Sequence, residues 1–363
     1  MAAKRTGISR DLIIHPGETI ADVLEDRGIT QAELATRTGV TAAYVSNVIA
    51  GKKDISAKFA LSLEYALDVP KSFWLNLQSN YDAELLEINK EQTISAEERS
   101  VREELADVVK YLRKKGKMPI GEKKDASILS LRKALGMSDI SRLGDIVPVG
   151  AFRMSSNQNV NPYVLGAWIR LCQIESDGRI IEEQYDASRT DDLIRDIKKV
   201  MLKREANIQM DLHSVMKEYG IDFSVVKNFR GAPVQGYISQ KKNGIYQMVL
   251  TIRGSYADIF WFSLFHEIGH IVNGDIAKSA KFLDDGSDEE KERSADLFAK
   301  ESLLDSKDYA LFIRQNDFSI ESITDFAASQ NVMPYIVIGR LQKENYLRYD
   351  QYSRYKLRYK WAD

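Results

Sequence analysis

Residues 261–275, WFSLFHEIGHIVNGD, decide how the rest of this chain is read. On a helix, positions four apart share a face, so His266 and His270 can offer both imidazoles to one metal ion. Glu267 sits beside them, off the ligand line, placed to accept a proton from water. Trp261, Phe265, Ile268 and Val272 follow the same period on another face and should anchor the helix in a core. Two histidines on so apolar a helix are expensive without partners. They are also half of the chain's four, the others being His15 and His213.

No histidine follows His270, so a third ligand must be a carboxylate. Residues 287–304, SDEEKERSADLFAKESLL, supply candidates on a helix whose Ala295, Leu297, Phe298 and Leu303 are expected to face inward. Glu292 and Asp296 lie one turn apart. Glu292 can bind metal while Asp296 takes the ring N–H of a ligand histidine. Glu289 and Glu290 are the alternatives. A His2Glu set with an open fourth position suits catalytic Zn2+. Zinc there acidifies water and polarises a carbonyl, Glu267 acts as the base, and peptide hydrolysis is the matching reaction.

Upstream, residues 237–239 and 245–252 flank an Asn243-Gly244 turn and predict a hairpin, expected as an edge strand able to hold an extended peptide. Tyr237, Tyr256 and His213 are the candidate oxyanion donors, His213 reading first as an ordinary helical histidine. The lone Cys172 rules out internal disulfides and multi-cysteine metal sites, and is expected to pack as a small hydrophobe. Residues 127–136, 161–176 and 190–206 read as helices.

Four segments resemble the ImmA/IrrE-type zinc metallo-endopeptidases, a cytoplasmic branch of the gluzincins. They are GAWIRLCQIES (166–176), VQGYI (234–238), DIFWFSLFHEIGHIVNGD (258–275) and EEKERSADLFA (289–299). The resemblance spans roughly residues 150–342. It implies that His266, His270 and Glu292 are ligands, Glu267 the base and Asp296 the partner of Glu292. Such enzymes cut a partner transcriptional repressor.

The first 82 residues are a different object. Gly28, Gly39 and Gly51 stop three short helices, and Thr30 with Glu33 reads as a capping box at the start of the second. Thr41 caps the third. Two short helices joined by a turn containing Gly are a helix-turn-helix, with Ala42, Ala43, Tyr44 and Asn47 toward a major groove and Gln31, Lys52 and Lys53 toward phosphates. The stretch from HPGE (15–18) to FWLNLQSNYD (73–82) resembles the HigA-type antitoxins, a branch of the Xre/Cro-like repressors. That resemblance implies a recognition helix over residues 42–50, a homodimer, and double-stranded operator DNA as partner. Residues 1–80 carry nine Lys/Arg and nine Asp/Glu, so one copy should bind DNA weakly.

With 363 residues, 44% hydrophobic and 29% charged, the chain is long enough for several domains, and its net charge of −2 excludes a generic polyanion binder. The expected fold class is α+β, mostly helical. An all-α helix-turn-helix domain (1–82) and a helical connector (83–149) precede a gluzincin-like metallopeptidase domain (150–342) with a small β-sheet and an HExxH helix. A basic, tyrosine-rich tail (343–363) follows. Its five tyrosines (Tyr346, Tyr349, Tyr352, Tyr355, Tyr359) are expected to pack on the domain rather than bind single-stranded nucleic acid. No export signal precedes residue 14 and no stretch is long and apolar enough to cross a bilayer, so a cytoplasmic setting without membrane contact is expected. The leading function is a DNA-binding regulator fused to a zinc endopeptidase acting on a repressor. The alternative is a non-catalytic repressor or antitoxin, with a possible toxin partner, that uses the peptidase-like domain as a sensor or scaffold.

Overall fold

The structure, a computed structural model, describes residues 13–147, 160–203, 207–234, 236–241, 243–252, 255–276, 281–283 and 289–360. The expected absence of an export signal and the expected boundary at residue 150 therefore fall outside the described residues, as does Lys242 of the hairpin turn. The chain divides into two compact units, Met1–Ala96 with Lys123–Leu129, and Glu97–Glu122 with Ser130–Asp363.

The first unit is all helical: α1 (Pro16–Arg27), α2 (Gln31–Thr38), α3 (Ala42–Ile49), α4 (Ala57–Leu67) and α5 (Lys71–Asn89). Its core gathers Ile20, Leu24, Leu34, Val45, Val48, Phe59, Leu63 and Trp74. Thr30 and Thr41 cap α2 and α3, accepting from the Glu33 and Tyr44 amides at 3.1 Å each. Only half of the capping box forms, because the Glu33 carboxylate pairs with Arg37 one turn along instead of reaching back. The ends of the unit close on each other. His15 caps α1 through its Nδ1, 2.9 Å from the Gly17 amide, and its ring meets Tyr81 edge-on at 4.7 Å. A Cβ on Gly17 would lie 2.1 Å from the Val48 carbonyl oxygen, so only glycine lets α1 sit this close to α3.

The helix α8 (Lys124–Leu135) spans the boundary in sequence. The second unit otherwise holds α6 (Ala96–Glu104), α7 (Ala106–Lys114), α9 (Pro162–Ser176), α10 (Thr190–Met201) and α11 (Ile208–Met216), then β1 (Ile221–Val225), β2 (Gly236–Gln240) and β3 (Tyr246–Leu250). After these come α12 (Ala257–Val272), β4 (Lys281–Leu283), α13 (Glu289–Leu303), α14 (Ser306–Gln315), α15 (Ile320–Ser329) and α16 (Pro334–Lys343). The described chain is thus mostly helical with one small sheet.

The sheet runs β1-β3-β2-β4, with β1 parallel to β3 and the other pairs antiparallel. The hairpin forms as expected, but neither of its strands is an edge: β1 covers one flank and β4 the other. The hairpin is therefore not the edge expected to hold a peptide: β3 is paired along its length by β1, and β2 by β4 at Tyr237–Ser239. The apolar face of α12 packs into the main core, with Trp261, Phe265 and Ile268 fully buried. Cys172 is buried on α9, as expected.

A candidate metal centre and a helix-turn-helix face

α12 and α13 carry the second unit's polar cluster. Their close approach has a sequence cause: a Cβ on Gly269 would lie 3.0 Å from the Ala295 Cα, so glycine at this position lets the two backbones pack tightly. Ala295 is three residues past Glu292, and the contact brings that side chain over the histidine pair. The His266 and His270 Nε2 atoms are 3.1 Å apart, and Glu292 Oε2 and Oε1 lie 3.2 and 3.6 Å from them respectively. Two donors sharing one tetrahedral zinc sit ~3.3 Å apart. His266, His270 and Glu292 form a candidate metal-binding cluster, their ligand atoms all within 4.8 Å of one another.

The far side of each ring meets a carboxylate. His266 Nδ1 is 3.0 Å from Asp296 Oδ1, and His270 Nδ1 is 2.9 Å from Asp275 Oδ2. With each Nδ1 turned to a carboxylate, each Nε2 is the nitrogen left to face the other ring and Glu292. Two imidazole nitrogens and a carboxylate thus face one point. That donor set fits zinc. The Asp296 carboxyl is held below its ordinary range, first by the His266 hydrogen bond and further by the charges of Lys343 and Lys300, against the opposing effect of burial.

Asp275 was not foreseen in the sequence. It stands five residues beyond His270. Gly274, at φ +73°, reverses the chain, and the Asp275 amide donates to the His270 carbonyl at 3.0 Å. The same reversal presents its carboxylate to the ring of the residue it has just left. Gly236 was missed as well. A Cβ there would sit 1.8 Å from Glu267 Oε1, so the first residue of β2 is the bed on which this buried carboxylate rests.

His266, Glu267, Glu292 and Asp296 line a cavity of about 710 Å³. Phe262, Leu303, Leu304 and Ile336 supply apolar wall, and Lys300, Arg340, Lys343 and Lys356 supply charge. The carboxy-terminal segment belongs to this wall: Tyr349 and Lys356 line it, and Lys356 Nζ is 2.7 Å from Asp258 Oδ2. Tyr359 accepts from Trp261 Nε1 at 2.8 Å, and Tyr352 donates to the Phe318 carbonyl. Part of the tyrosine stripe thus packs, while Tyr346, Tyr349 and Tyr355 remain exposed.

Other expectations fare unevenly. Ala295 and Leu303 face inward, but Leu297 is 65% exposed, because the inward side of α13 is set by Glu292, Ala295, Asp296 and Ala299. Glu289 is exposed and pairs with Arg293. None of the three oxyanion candidates lines the cavity. Tyr237 is buried against Trp168, Tyr256 accepts from Arg358, and His213 Nδ1 lies 3.0 Å from the Phe223 carbonyl.

In the first unit, Gln31, Thr41, Ala42, Ala43, Asn47, Lys52 and Lys53 are all exposed on α2, α3 and the turns beside them. Tyr44 is half-buried, its ring edge-on to Phe59 at 5.0 Å with Lys53 Nζ 4.3 Å from its centroid. Residues 20–74 match a helix-turn-helix family model. This segment is a helix-turn-helix module. The chain is similar to virulence-associated protein A′ of Dichelobacter nodosus, 44% identical over 69 residues, which are 19% of this chain. It spans about 60% of the length of that relative. Among solved structures, it is 40% identical to a putative antidote protein of a plasmid maintenance system from Nostoc punctiforme, covering 22% of this chain and 88% of that one, with a TM-score of 0.21. It is 35% identical to the antitoxin HigA of Pseudomonas aeruginosa, solved with its promoter, covering 23% and 97% with a TM-score of 0.21. Among the described residues, no helix is long and apolar enough to cross a membrane.

Proposed function

We propose that this chain is a DNA-binding transcriptional regulator whose second unit is a zinc-dependent endopeptidase acting on a partner regulatory protein. The DNA-binding half rests on the helix-turn-helix module and its exposed α3 face. The module's net charge is too small for strong binding by one copy, so a homodimer on two half-sites of operator DNA completes the reading. Residues 1–82 act on DNA in this scheme, and residues 150–342 on protein.

For the second half, one observation carries the reading: two Nε2 atoms and the Glu292 carboxylate converge, each imidazole held from behind by its own aspartate. His266, His270 and Glu292 would hold the ion. Zinc bound there supplies Lewis acidity toward water and a peptide carbonyl. Glu267, buried beside the ligands and fixed against Gly236, receives a proton at its carboxylate and returns it to the leaving nitrogen. Asp275 and Asp296 keep both rings in the ligating tautomer.

A second reading is a non-catalytic repressor or antitoxin, with a toxin as possible partner, in which the second unit serves as sensor or scaffold. It draws on the family match, which lies wholly within residues 20–74. The Glu267→Gln chain separates the two. In a pull-down it should retain zinc and trap an uncut protein that the unsubstituted chain cleaves. Retained operator binding, with no cleavage by either form, supports the scaffold.

A further inference from the structure

The cavity wall carries five acids, Asp258, Glu267, Glu292, Asp296 and Glu344, and four bases, Lys300, Arg340, Lys343 and Lys356, and the bases are not all tied to an acid. Lys356 is spent on Asp258 at 2.7 Å, and both side chains are about nine-tenths buried. Arg340 gives its Nε to Glu344 at 3.1 Å, with its guanidinium carbon 3.8 Å from the Tyr309 ring centroid. Its Nη1 is buried with no hydrogen-bond partner, a costly state for a guanidinium nitrogen. Lys300 and Lys343 line the same wall and have no ion-pair partner among the described residues. The Lys343 ammonium rests 4.7 Å from the Phe262 centroid. Of the other acids lining the cavity, Glu344 faces Arg340, Asp296 is committed to His266 and Glu292 to the histidine pair, leaving the two ammonium groups of Lys300 and Lys343 outside any ion pair among the described residues.

We propose that this wall is a subsite for a carboxylate on the peptide, an aspartate or glutamate side chain or a chain terminus, held by Lys300 and Lys343. This specificity rests on the peptidase reading of the site. The chemistry is ordinary ion pairing with two ammonium groups, made stronger by the partly apolar walls around Phe262, Leu303 and Leu304. At about 710 Å³ the cavity lies within the range that takes a small ligand, room enough for one or two residues of a chain. The same wall disfavours a lysine or arginine at that position through like-charge repulsion.

The test uses the full-length Glu267→Gln chain with its zinc content assayed first. Its probes are fluorescein-labelled hexapeptides in pairs: glutamate or glutamine at each internal position, and acid or amide at the carboxyl end. The acidic member of at least one pair should bind roughly tenfold tighter by anisotropy. That preference should shrink to near unity when Lys300→Gln and Lys343→Gln are combined, with the circular dichroism spectrum unchanged. Indifference in every pair, or a preference that survives the double substitution, overturns the subsite. The zinc assay keeps the failures apart: a zinc-loaded chain indifferent to carboxylates sinks only the subsite, whereas a metal-free chain sinks the peptidase reading.

Discussion

Asp275 costs the chain little in sequence and does a great deal for His270, whose ring it locks from the side away from Glu292. Replacing it with alanine leaves the Nδ1 proton without its acceptor and lets the imidazole turn. Zinc affinity should fall roughly 10- to 100-fold, read by competition with a chromophoric chelator; an unchanged affinity would show that the aspartate orients nothing. Gly236 acts on the other component. A methyl group there overlaps Glu267 Oε1, so Gly236→Ala should push the carboxylate aside. Hydrolysis should drop by at least about tenfold while zinc content stays at the unsubstituted level. Loss of the metal together with activity would point to a wider collapse instead.

At the scale of elements, the spacing of α12 and α13 is the quantity to perturb. Gly269→Val forces bulk between helices that meet backbone to backbone, and should cost roughly 1–3 kcal/mol in thermal unfolding and weaken zinc binding with it. A variant as stable as the parent would mean the helices separate freely. In the first unit, Thr41→Ala removes the hydroxyl that caps α3 and should cost about 1 kcal/mol by denaturant titration.

These elements also show what the sequence made legible. The 3.6-residue period around residues 261–272 put His266 and His270 on one side of α12 and Trp261, Phe265 and Ile268 in the core, with Val272 only partly buried, and the one-turn spacing of Glu292 and Asp296 put both carboxylates near the rings. Local patterns carry such information because they repeat within one helix. Leu297 misled because hydrophobicity alone does not fix which side of α13 turns inward. Asp275, Gly236 and Lys343 stayed hidden for a different reason: their roles depend on a chain reversal, a strand and α16, elements whose meeting no local pattern encodes. The edge-strand expectation failed likewise, since the flanking strand lies beyond α12 in sequence.

Across the whole molecule, charge is spread rather than massed, at −2 net overall and zero over residues 1–80. DNA affinity should therefore depend on a few discrete contacts. Lys52→Gln and Lys53→Gln should each lower the slope of log affinity against log salt by about one, uniformly across operator sequences. Asn47→Ala should instead relax base preference with little change in the slope. Slopes unaffected by either lysine would remove that turn from the interface.

Metal content weighed against Glu292 goes straight to the centre of the second unit. Protein purified without added metal, analysed by plasma mass spectrometry, should carry about one zinc per chain, and the Glu292→Gln form should lose most of it while remaining folded. A parent chain that holds no zinc and takes up none on titration, or a Glu292→Gln chain as fully loaded as its parent, would contradict the three-ligand site.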